Sequence, residues 1–120
     1  MGTFSVEIEI GDPQGERWAK LSATVGTKAG LAWAPREVLE GLGVQPEKRI
    51  SLRHLDGRLI KRDVAQTWLR IGDKAQVVTV VFGEKRDSAL VGSETLQEML
   101  LAADLDREKI VPAAGVASAQ

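Results

Sequence analysis

The sequence predicts a mainly β domain with two short helices. Three observations carry this. The dominant hydrophobic period is two, turn clusters rich in Gly, Asp and Pro separate the alternating segments, and only two stretches show a helical apolar face. A length of 120 residues, 43% hydrophobic and 28% charged, fits one core and leaves no room for a second.

Phe4, Val6, Ile8 and Ile10 alternate with Ser5, Glu7 and Glu9, the pattern of a half-buried strand. Gly11-Asp12-Pro13-Gln14-Gly15 is a turn, and residues 17–25 read as a second strand pairing back on the first. The glycine-bearing segment 26–30 leads into an apolar stretch, Leu31-Ala32-Trp33. Pro35 suits the first turn of a helix with Val38, Leu39 and Leu42 on one face and Gly43 as its stop. Residues 50–55 and 58–71 flank Asp56-Gly57, which supplies the positive φ angles of a tight hairpin. With that tip, Leu55 pairs with Arg58 and His54 with Leu59. One face then carries Leu52, His54, Leu59 and Lys61, the other Arg53, Leu55, Arg58 and Ile60, and neither is clearly apolar. After the turn at Gly72-Asp73-Lys74, residues 77–82 form an apolar run read as a strand buried on both faces. Ala89-Leu90-Val91-Gly92 precedes a helix over 93–102, where Thr95 and Glu98 have capping-box spacing and Ser93 is a rival start. Ile110-Val111-Pro112 is a last short strand. The domain is expected over 1–112, with 113–120 as a flexible tail.

Sixteen Lys plus Arg against seventeen Asp plus Glu gives a net charge of −1, which argues against a nucleic-acid partner held by a general basic field. The absence of cysteine removes disulfides, thiolate catalysis and zinc–thiolate sites. A single histidine argues against a His-rich metal site. No metal or cofactor is called for. No apolar run approaches the roughly 20 residues that span a bilayer, and the first ten residues alternate instead of forming a signal peptide's apolar block. These features lead us to expect a soluble cytoplasmic domain without a membrane partner. Residues 26–30 lack the G-x-x-x-x-G-K-[ST] pattern of a phosphate loop.

Strand, turn, strand, a small-residue loop, Trp33-Ala34-Pro35-Arg36 and a short helix resemble the first half of the bacterial retropepsin-like aspartic proteases. Leu90-Val91-Gly92-Ser93 ahead of a helix resembles that family's second signature, and the hairpin tipped by Asp56-Gly57 would be the flap. The resemblance runs from Gly2 to about Pro112. It implies a retropepsin-like acid-protease β-barrel, and a homodimer in which each short chain supplies one carboxylate from an Asp-Thr-Gly-Ala/Ser loop.

Here the matching residues are Gly26-Thr27-Lys28-Ala29-Gly30. Thr27 and Ala29 agree with the motif, but Gly26 stands at the Asp position and Lys28 at the motif's Gly. Val25 and Thr27 flank Gly26, so no neighbouring carboxylate replaces the lost one. Peptidase activity is therefore expected to be absent. In an extended segment, Thr24, Gly26, Lys28, Gly30 and Ala32 share one face, a wall of small residues around one lysine. In this fold that face would look into the substrate tunnel, where two copies of Lys28 approach the twofold axis. Desolvation and a like-charged neighbour both favour a neutral amine, and a neutral amine can attack a carbonyl to form a Schiff base.

His54, if it points inward, would relay protons or orient a water beside Lys28; an exposed flap histidine is the plainer reading. Trp18, Trp33 and Trp68 are read as core or interface side chains ahead of any role in an aromatic pocket. Three functions stand open. The chain is a protease-dead homodimer with a rebuilt tunnel that uses Lys28 for imine or retro-aldol chemistry on a small carbonyl compound. Or it is a non-catalytic dimer that binds a ligand or peptide in its groove. Or it is a protease inactivated by design or by drift, with Lys28 snorkelling to solvent.

Overall fold

A computed structural model describes residues 2–54 and 56–113, and the period-two segments are its strands. β1 (Phe4–Gly11) and β2 (Trp18–Val25) pair antiparallel, with Ile8 opposite Leu21 and Ile10 opposite Ala19. Asp12 closes the turn between them: its carboxylate accepts the amides of Glu16 at 2.7 Å and Arg17 at 3.2 Å. β3 (Ala32–Pro35) leads into α1 (Arg36–Gly41), for which Pro35 is the cap and Leu39 the buried anchor. β4 (Lys48–Arg53), β5 (Leu59–Ile71) and β6 (Lys74–Gly83) form a meander. β7 (Leu90–Val91), α2 (Ser93–Glu98) and the hairpin of β8 (Leu101–Asp104) and β9 (Lys109–Pro112) complete the chain.

Seven strands make one sheet in the order β1-β2-β7-β3-β6-β5-β4. β7 runs parallel to β2, and β3 parallel to β6, so the sheet is mixed. A short second pairing, Glu9 with Arg70 and Ile10 with Leu69, ties β1 to β5. Ile8, Ile10, Val25, Leu39, Leu69, Val80 and Phe82 fill the core between these strands and α1. Thr67 is the polar exception. It is fully buried and donates its hydroxyl to the Gly11 carbonyl at 2.5 Å. Thr67→Val keeps the shape and orphans that carbonyl, so urea denaturation should show a loss of about 1–2 kcal/mol.

Three expectations need correction. The second helix ends at Glu98, not 102. Leu100 takes a left-handed φ of 59° and turns the chain into β8, which the helix-like apolar spacing of 96–101 concealed. Thr95 and Glu98 form no capping box: Gly92 is the cap, and Thr95 is buried inside α2. β6 is not covered on both faces throughout, since Val77 remains 43% exposed and only its last residues, from Val80, are buried consecutively.

The flap register also shifts by one residue. Leu52 pairs with Ile60 and Arg53 with Leu59. The Gly57 amide donates to the His54 carbonyl at 2.9 Å and the His54 amide to the Arg58 carbonyl at 2.7 Å, with Gly57 at a φ of 92°. The loop between His54 and Arg58 is thus one residue longer than a two-residue turn, with Gly57 in the left-handed region at its end. A slip of one residue regroups every side chain. Ile50, Leu52 and Ile60 now share a half-buried face, opposite exposed Ser51, Arg53, Leu59 and Lys61. Leu55, and the expected tail beyond Ala113, lie outside the described residues. Among those that are described, no helix is long and apolar enough to cross a membrane.

Candidate functional site

Residues 26–31 connect β2 to β3 and make no strand, because their hydrogen bonds go to the start of α2. Ser93 donates to the Ala29 carbonyl at 3.1 Å, and Glu94 and Thr95 donate to the Gly30 carbonyl at 3.0 and 3.3 Å. The Thr27 hydroxyl accepts the Ala29 amide at 3.1 Å and fixes the bend from within. Gly92 makes the docking sterically feasible: its α-carbon lies so close to the Gly30 carbonyl and the Leu31 amide that no side chain fits between. This is why Val91-Gly92 and the small-residue loop belong together.

The bend overturns the alternation expected for an extended segment. Thr24 is in β2, where its amide donates to the Ala89 carbonyl, and Ala32 is buried in the core. Gly26 faces the N-terminal segment and Leu105. None of the three lines the cavity beside the loop. Lys28, Gly30 and His54 do. That cavity has a volume of about 530 Å³ and lies between residues 27–31 and the flap. Leu52 and Ile60 enter from the flap face that the register correction makes apolar. Trp33 and Leu90 form the far wall, and Arg86, Asp87 and Glu94 add charge. Trp33 is thus the one tryptophan in the groove. Trp18 instead stacks against Arg70, whose guanidinium carbon is 3.9 Å from its ring centroid, and Trp68 packs at Gly15.

The electrostatics of the wall are uneven. Burial pushes the Asp87 carboxyl up, but Arg62 at 2.7 and 3.2 Å and the Glu84 amide at 2.7 Å together hold it below the usual carboxylate range. It is an engaged anion, unlike a carboxylate that shares a proton with a neighbour. Lys28 is exposed and has no carboxylate within 4.0 Å among the described residues. In the single chain, burial does not supply the desolvation invoked for its amine. The His54 side chain is 44% exposed, and its Nδ1 lies 3.4 Å from the Asp56 amide and 3.3 Å from Asp56 Oδ1.

Sequence reasoning missed Arg53 and Arg86 as wall residues. From the sequence, the basic run Lys48-Arg49 and the cluster of Arg53, Arg58, Lys61 and Arg62 read as a solvated strand surface, and of these Arg49, Arg58 and Arg62 have a carboxylate partner, in Asp63, Asp56 and Asp87. Nothing in the spacing separates Arg53 and Arg86 from them. Their difference appears only when partners are assigned in space.

No protein-family model matches the chain, and no curated protein sequence does. Among solved structures, the solution structure of the simian foamy virus (mac) protease matches with a TM-score of 0.56, covering 78% of this chain and 91% of that one at 19% sequence identity. The fold is therefore retropepsin-like.

Proposed function

We propose that the chain is a retropepsin-like module without peptidase activity, which acts as a homodimer and binds a peptide or small molecule in the groove under its flap. One observation carries the reading. The position of the family's catalytic Asp is Gly26, at a φ of 95°, where a β-carbon would meet Leu105 Cδ2 at 3.0 Å and the Gly2 carbonyl at 3.1 Å. The backbone there is shaped for glycine. Asp87, the engaged carboxylate of the wall, has a lowered pKa and an arginine partner, the opposite of what a proton-sharing pair requires. The half-buried apolar walls favour ligand binding over a solvated, inert surface.

No acid-favoured cleavage of peptide substrates is expected from the wild-type chain. Gly26→Asp combined with Lys28→Gly should also stay inactive, because the aspartate would have to adopt the same left-handed backbone. Cleavage restored by the pair would overturn the reading. Sedimentation velocity checks the dimer, and a monomer across the accessible concentration range would remove that part.

A second reading rests on Lys28, a cation with no carboxylate partner among the described residues, beside an apolar wall. It acts as an amine nucleophile toward a small carbonyl compound, with the partner copy or the ligand itself excluding water, and His54 on the facing flap moves the proton. Borohydride should then trap an aldehyde or ketone on Lys28, and Lys28→Met should abolish the adduct. Equal labelling of both proteins would exclude it.

A further inference from the structure

Nine arginines are present, and seven have a carboxylate within 4.0 Å: Arg17, Arg36, Arg49, Arg58, Arg62, Arg70 and Arg107. The two without one among the described residues are Arg53 and Arg86, and both line the groove. Lys28, also without a partner, is the third cation of the same wall. Against these three stand Asp87, already neutralised by Arg62, and Glu94. A chain of net charge −1 that pairs its other seven arginines leaves a local cationic excess along this wall. Charge of one sign in a cleft with apolar walls concentrates its field on whatever enters.

We infer that the groove selects anionic, extended peptides, with carboxylate side chains reaching Arg86 and Lys28 in the groove and Arg53 at its flap edge, where it projects from the strand face opposite Leu52, while intervening apolar side chains lie on Leu52, Ile60 and Trp33. The inference rests on the groove being a binding site and names its ligand class. An extended chain fits better than a compact anion for two reasons. β4 is the end strand of the sheet, so the outer row of its backbone groups has no partner strand among the described residues. The cations also come from three separate segments, the 26–31 loop, the flap and the 84–87 turn, so one compact anion would meet only part of the set. Arg53 uses a single N–H on the Gly57 carbonyl, at 2.8 Å, and keeps the rest of its fork for a carboxylate.

The test uses fluorescence anisotropy with three rhodamine-labelled hexapeptides of the pattern X-Leu-X-Phe-X-Leu, where X is Glu, Gln or Lys. The Glu peptide should bind about tenfold more tightly than the Gln peptide, and the preference should shrink as salt rises. The double variant Arg53→Glu/Arg86→Glu should reverse the order toward the Lys peptide. Both positions are exposed, so the fold should survive, and Arg53→Gln/Arg86→Gln, which should erase the preference, covers the case in which the reversal does not fold. Lys48→Glu, which lowers the net charge by as much as Arg53→Gln/Arg86→Gln does but outside the groove, should leave the preference intact. Equal binding of the Glu and Gln peptides would overturn the inference and leave the binding site standing. A wild-type preference for the Lys peptide, or a Lys48→Glu effect as large as the double variant's, would also overturn it. Binding of none of the three would count against both the inference and the binding site.

Discussion

Gly92→Ala is expected to melt far below the wild-type protein, with a loss of more than about 3 kcal/mol in urea denaturation. Gly92 has φ −86° and ψ 169°, angles that alanine adopts freely, so backbone preference contributes nothing. The whole effect is steric. A β-carbon there would overlap the carbonyl carbon and oxygen of Gly30 and lie 2.6 Å from the Leu31 amide nitrogen. These are backbone atoms, which cannot rotate aside as the end of a side chain can. Relief requires moving the 26–31 loop away from α2, and that breaks the bonds from Ser93, Glu94 and Thr95 to the Ala29 and Gly30 carbonyls. The same movement dismantles one wall of the groove. Gly41→Ala is the matched control: nothing lies within 4 Å of its β-carbon position in α1, and the change should stabilise by about 0.5–1 kcal/mol. A Gly92→Ala protein that melts with wild type would show that the close approach is not required.

The contrast between these two glycines shows where sequence reading succeeds. Alternation at Phe4, Val6, Ile8 and Ile10 placed β1, because one strand face must be buried whatever it packs against. Val91-Gly92 was marked only through resemblance, since no periodicity reports that another backbone crosses at van der Waals distance. β8 was hidden because its start is set by Leu100 in a conformation that normally calls for glycine. The flap register failed on a single extra loop residue ahead of Arg58, and with it the apolar face of Leu52 and Ile60 disappeared from view. The site was half legible. Lys28 stood out by the neutrality of its loop, and His54 by being the only histidine, whereas Arg53 and Arg86 are set apart only by having no carboxylate partner among the described residues.

Stability should hold nearly constant from neutral pH to about 5 and then fall as the solution is acidified further, with Arg36 a principal cause. Arg36 lies on α1 and reaches Asp63 of β5 at 2.6 Å and Glu84, just beyond β6, at 2.8 Å, while its guanidinium covers the Phe82 ring at 4.9 Å. Hydrogen bonds from Arg36 hold Glu84 below its usual 4.5, and those from Arg36 and Arg49 hold Asp63 below 3.8. Asp87 is lowered in the same sense by Arg62 and the Glu84 amide, against the effect of burial. A depressed carboxyl stays ionised in the folded chain where the unfolded chain already takes up protons. Its contribution is therefore complete above the unfolded value and is lost as pH drops through the folded one, from about 4.5 downward. Arg36→Met keeps the contact with Phe82 and removes the charge. At pH 7 it should lose about 2 kcal/mol, after allowing for the partial exposure of Glu84. It should also flatten the acid limb, because Glu84 loses the group that lowers it and Asp63 keeps only Arg49. Urea midpoints between pH 3 and 7 read both effects. A variant whose midpoint falls in acid as steeply as wild type would place the pH dependence elsewhere, with Asp12 and Asp56, whose carboxyls are also held low, the next groups to remove.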